Sequence, residues 1–220
     1  MFNFTTWSLR FFGISGIIGS ILFIVGDLLY NHIPGSKASP TVKMSSLPDS
    51  RLIHGGTLGM IGCWFYTLAT LHVYIAFRAA GEPFASILFL AFAAVMISYG
   101  IGHAGYFSIA AGARSAVSLG VDAEAGGRLG NAFFQRLTFI IYFPTIIASL
   151  MMVYGILAGQ SLYPRWMVIF LPIVIYLLKT PVTRILRGRV KELVNDSYDN
   201  IALFIFYALS TTMLWNGIVP

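Results

Sequence analysis

Charge is the scarcest property of this sequence. Fourteen basic and eight acidic residues make up 10% of its 220 positions, where a soluble domain carries about 25%. So few charges cannot clothe a water-facing surface, which excludes a soluble enzyme and a disordered segment. Cysteine is nearly absent too. Cys63 stands alone, so no intrachain disulfide forms and no cysteine metal motif exists. Histidine occurs four times, with no HExxH string and no pair spaced i, i+4. No basic patch interleaves with aromatics outside the apolar runs, which argues against nucleic acid as a partner. What the chain has in excess is apolar: 57% hydrophobic residues and a mean hydropathy of +0.80. It reads as one integral membrane domain over residues 1–220.

Six runs are long enough to cross a bilayer, which takes about 20 residues at 1.5 Å each. They cover about 9–30, 52–77, 84–111, 130–157, 162–178 and 201–218. Each is apolar on all sides, unlike the alternating segments of about ten residues in a membrane barrel. The expected fold is all-α, a polytopic transmembrane bundle of six helices. Pro164 and Pro172 interrupt the fifth run, and proline inside a membrane helix usually kinks it without ending it. The connection at 112–129 reads as a loop with a short surface helix. No internal repeat is evident, so an inverted-repeat transporter has no support.

Basic residues set the expected orientation. Eleven of the fourteen fall in or beside the loops after the first, third and fifth runs, from Lys37 and Lys43 to Arg189 and Lys191. Arg10, Arg78 and Arg165 lie on the other side. This bias places both termini on the extracytoplasmic side.

Ionisable groups near a bilayer centre cost at least about 2.5–3.5 kcal/mol each, so those within the runs are informative. Asp27 lies about 5 Å from the cytoplasmic end of the first run, and His103 about two turns from that end of the third. His54 sits in the first turn of the second run, Gln135 in the second turn of the fourth, and Asn200 at the mouth of the sixth. One leaflet therefore collects these groups. A carboxylate beside histidines suits acid–base chemistry. The leading reading is an integral membrane enzyme acting on a hydrophobic, lipid-like or isoprenoid-like substrate in a cytoplasmic-leaflet cavity, as an isomerase, cyclase or hydrolase. Its expected catalytic residues are Asp27, His54 and His103. Tyr99, Tyr106, Gln135, Tyr142 and Asn200 are the expected substrate-binding residues.

No cofactor is predicted. Asp27, His54 and His103 would be the ligands of a divalent metal if one binds. Haem is disfavoured because His54 and His103 differ in depth by about two turns. The expected partners are membrane lipid and a hydrophobic small molecule. Two rival classes stay open: a small-molecule or proton-coupled transporter or channel, and a non-catalytic membrane subunit whose polar groups hold the bundle together. His72, five turns and about 27 Å beyond His54, reads as a buried hydrogen-bonded residue. Gly55 and Gly59 have the spacing of close helix packing, and would equally leave room beside a histidine.

Four strings carry a resemblance: Gly26-Asp27-Leu28-Leu29-Tyr30, Leu71-His72-Val73-Tyr74-Ile75-Ala76-Phe77-Arg78, Tyr163-Pro164-Arg165-Trp166-Met167 and Leu209-Ser210-Thr211-Thr212-Met213-Leu214-Trp215. On these the chain resembles an uncharacterised family of bacterial six-span membrane proteins. The resemblance implies a bacterial inner membrane and a six-helix bundle. It implies no activity and transfers no site residue.

Overall fold

The computed structural model describes residues 4–216. Among them the chain is all-α, without strands. Its helices are α1 (Thr6–Asn31), α2 (Pro40–Ser46), α3 (Asp49–Ala76), α4 (Glu82–Ser118), α5 (Ala123–Leu157), α6 (Pro172–Leu177), α7 (Lys179–Ile185), α8 (Gly188–Asp196) and α9 (Tyr198–Met213). Four of these, α1, α3, α4 and α5, are long and apolar enough to cross a membrane. Exposed Trp64, Leu90, Phe139, Phe143 and Leu150 stud their outward faces. Lipid tolerates such a surface and water does not.

Helices α1 and α3 form the centre. They run antiparallel, with Gly19 against the backbone of Gly62 and Gly26 against that of Gly55. Small residues at those crossings let the two backbones approach closely. Thr5 and Ser8 form a capping box at the start of α1. At its other end the helical amides run out, the last being that of His32, which donates to the Leu28 carbonyl at 3.1 Å. Arg51 of α3 supplies further donors there, to the carbonyls of Leu28 (2.8 Å), Leu29 (3.1 Å) and His32 (2.9 Å). The α4–α5 pair packs against α3, and α9 packs against α1 on the other flank.

The stretch 112–129 corrects the sequence reading. It holds no separate surface helix, because α4 and α5 continue through it to a tight turn. Gly120, at φ 73°, ends α4, and the Asp122 carboxylate accepts the amide of Ala125 to start α5. At 37 and 35 residues, these helices are about 50–55 Å long, well beyond a hydrocarbon core of about 30 Å. Each is therefore longer than an upright crossing needs.

The fifth apolar run is broken outright. Residues Arg165–Phe170 form a 3-10 helix, Leu171 is extended (φ −63°, ψ 142°), and α6 restarts at Pro172. Pro172 has no amide hydrogen to continue the ladder, and its ring drives the residue before it out of helical geometry. The sixth run begins earlier than expected, at Tyr198, and α9 has 16 residues. Residues 217 and 218 of that run lie outside the described residues.

The end of α1, α2, the start of α3, the α4–α5 turn, α8 and the start of α9 gather at one pole. Arg114 donates to the Leu47 carbonyl (2.6 Å), Asn131 to Thr41 (2.9 Å), and His32 pairs with Asp196 (3.1 Å). This pole holds most of the lysines and arginines and is called the basic pole below.

Candidate functional site

Asp27 lies on the last full turn of α1, buried, with both carboxylate oxygens engaged. His103 of α4 places its Nε2 3.2 Å from Oδ1. Asn200 of α9 donates its Nδ2 hydrogen to Oδ2 at 2.7 Å. The Asn200 amide is oriented in turn by the Tyr66 hydroxyl of α3, which donates to its Oδ1 at 2.9 Å. Four helices thus converge on one carboxylate, and residues 173 positions apart become partners.

His103 is held as tightly as the carboxylate it serves. Its ring meets Phe23 edge-on at 4.7 Å and Tyr106 at 5.9 Å. A Cβ at Gly59 would overlap the imidazole, and one at Gly26 would touch it at 3.0 Å. Gly59 is therefore the space the ring occupies, whereas Gly55 is backbone packing against Gly26. His103 Nδ1 is enclosed on that glycine side and has no protein partner among the described residues.

Asp27 and His103 border a cavity of about 640 Å³ between α4, α5, α6 and the start of α9. Tyr99, Tyr106, Phe134 and Ile141 give it an aromatic and apolar wall. The Tyr99 and Tyr176 hydroxyls meet across it at 2.9 Å. Two openings are marked by lining residues that are themselves exposed. Tyr142, Ile146 and Leu177 are 55–75% exposed between α5 and α6 and face the side of the bundle. Lys179 and Asp199, paired at 3.8 Å, mark a mouth at the basic pole.

Most of the residues expected from sequence meet here. Asp27, His103, Tyr99, Tyr106, Tyr142 and Asn200 all line the cavity. His54 does not join them. It lies on the exposed side of α3, while its neighbour Gly55 faces α1. Gln135 is likewise exposed, and its neighbour Phe134 takes the lining position. With His54 turned away, the suggested metal ligands reduce to Asp27 and His103, too few donors to hold a zinc-like ion. Among the described residues no group of three His, Cys, Asp or Glu side chains is gathered. Sequence reasoning missed Tyr66 and Tyr176. Tyr66 had a signal, since it continues the Gly55, Gly59, Gly62 stripe at helical spacing.

His72 is fully buried far from this cavity. Its Nδ1 donates to the Leu9 carbonyl at 2.9 Å, and its Nε2 accepts from Ser210, which accepts in turn from the Tyr163 hydroxyl at 2.7 Å. Both ring nitrogens are satisfied, and the residue ties α1, α3 and α9 together.

No curated protein and no solved structure matches this chain. A family model does, over residues 2–216, and the chain belongs to that family, described as a family of unknown function (DUF6796).

Proposed function

We propose that this DUF6796 member is a multi-pass enzyme of the bacterial inner membrane that moves a proton on a hydrophobic substrate held in the cavity. One observation carries the reading. A buried carboxylate, Asp27, is held through both oxygens at the wall of a 640 Å³ space with aromatic sides and a lateral opening. Ionisable groups are expensive within a bilayer and mark functional sites there by default. The lateral opening suits a molecule entering from lipid.

The membrane path in this proposal has six crossings. The broken segment starts where Leu162 donates to the carbonyl of Ala76, at the pole opposite the basic one. It ends beside Asp199, and α9 then returns. The excess of lysine and arginine at the basic pole supports a cytoplasmic placement of that pole, with both termini outside.

The chemistry follows from which groups remain. With His54 on the surface and His103 Nδ1 enclosed, Asp27 is the acid–base group. A single carboxylate can complete one balanced reaction unaided. It takes a proton from one carbon of the substrate, the double bond shifts, and the carboxyl, after exchanging its proton with water at the mouth, delivers one to another carbon. The substrate is isomerised and Asp27 ends as it began. Hydrolysis and cyclisation ask for a second group at the substrate. Asn200 and His103 are positioning residues: the Asn200 N–H fixes one carboxylate oxygen, and the imidazole packs 3.2 Å from the other.

A lipid extract tests this. Purified wild-type protein is expected to deplete one lipid species and accumulate its isomer, resolved by chromatography and mass spectrometry. The isosteric Asp27→Asn variant should stay folded and convert nothing. Identical extracts from the two proteins would count against the reading.

A further inference from the structure

The groups that line the mouth at the basic pole are unequally occupied. Each carboxylate there already has a partner. Asp27 is held by His103 and Asn200, Asp196 by His32 at 3.1 Å, and Asp199 by Lys179 at 3.8 Å. Lys43 differs. It lines the cavity from α2, half-buried, and its ammonium has no partner among the described residues. The side-chain amides of Asn31 and Asn195 line the same mouth and are likewise without partners among the described residues.

The position of Lys43 is built, not incidental. Ser39 caps α2 by accepting the amide of Val42, and Pro40 takes the first helical position, where its missing amide hydrogen costs nothing. The Ser39 hydroxyl also bonds Glu124 of α5, and Thr41 accepts from Asn131 at 2.9 Å. These ties fix α2 across the mouth with Lys43 turned inward. Among the described residues, the mouth therefore offers one free cation and two free amides above a chamber that becomes apolar with depth.

We propose that the cavity takes an anionic amphiphile, with a phosphate or carboxylate head at Lys43, Asn31 and Asn195 and its hydrocarbon part along Phe134 and Ile141. A cationic head would find every mouth carboxylate occupied and Lys43 repelling it. A neutral head would leave the ammonium unanswered in a half-buried place, which is unfavourable. This inference rests on the cavity being the substrate site and adds the class of substrate.

The test measures thermal stabilisation of the full-length protein in neutral detergent by four probes: oleyl phosphate, oleate, oleyl alcohol and oleylamine. Inorganic phosphate alone is a fifth arm, which separates a lipid headgroup from a free anion. The two anionic amphiphiles should stabilise wild type, while the alcohol, the amine and free phosphate should not. Lys43→Ala should raise the half-saturating concentration of oleyl phosphate about tenfold, as loss of a charge-assisted bond predicts. Equal stabilisation by oleyl alcohol, or an unchanged response in Lys43→Ala, would overturn the proposal. Either result leaves isomerisation by Asp27 standing, whereas binding without conversion would sink isomerisation alone.

Discussion

Gly59 has no side chain because His103 needs the room, and this pairing is the sharpest statement at the scale of single residues. A methyl group there would overlap the imidazole, and overpacking a filled site costs about 1–3 kcal/mol. Gly59→Ala should lower the melting temperature and abolish conversion, because the ring that fixes Asp27 is displaced. Adding His103→Ala should recover much of the lost stability without recovering conversion. Contacting residues are non-additive in this way, and thermal melts of the two single variants and the double one check it. The sequence exposed Asp27 and His103 because an ionisable group in an apolar run is anomalous wherever it faces. It gave depth for His54 and Gln135 but not direction. One residue along a helix turns about 100°, so Gly55 and Phe134 took the inward positions and their neighbours went outside. The partnership of Asp27 with Asn200 and Tyr66 was not legible, since no local pattern sets the rotation of α9 against α1.

Among the elements, α1 and α3 depend on a cap that lies in neither helix's own sequence pattern. Three carbonyls at the end of α1 share the Arg51 guanidinium. Hydrogen bonds from a charged donor are worth about 1.5–3 kcal/mol, and the guanidinium also answers the negative end of the helix dipole. Arg51→Ala should therefore destabilise by about 2–3 kcal/mol, read from thermal unfolding in detergent. Arg51→Lys should restore only part of this, because an ammonium lacks the planar fork. Long helices were the easy part of the sequence, since about 20 apolar residues suffice to announce one. Their ends were harder. Asp122, Glu124, Gly126-Gly127 and Arg128 suggested loop where α4 and α5 continue, because charge and glycine mark a polar surface without ending a helix there. Pro172 looked like a kink, but with the 3-10 turn before it the helix breaks. The segment after the break, with Ile173, Tyr176 and Leu177, forms one side of the cavity.

At the scale of the whole molecule, low charge points to lipid as the solvent, and the few charges present are the basis of the proposed direction. The proposed topology places the α4–α5 turn in the cytoplasm and the end of α5 outside. A version with Cys63 replaced by alanine and a single cysteine introduced tests it, using a membrane-impermeant maleimide on intact cells. Ala158→Cys should label directly, and Ser118→Cys only after the cells are opened. Both positions are exposed, so accessibility within the protein does not confuse the comparison. The reverse pattern would invert the orientation and put the cavity mouth outside.

The account centres on Asp27 moving a proton on a hydrophobic molecule, and solvent deuterium reports that step directly. Wild-type protein is incubated with lipid extract in heavy water, and the recovered lipids are analysed by mass spectrometry. The account predicts carbon-bound deuterium in the isomerised lipid with wild type, and none with Asp27→Asn. Equal incorporation by both proteins, or conversion of a lipid that never acquires deuterium, would contradict it.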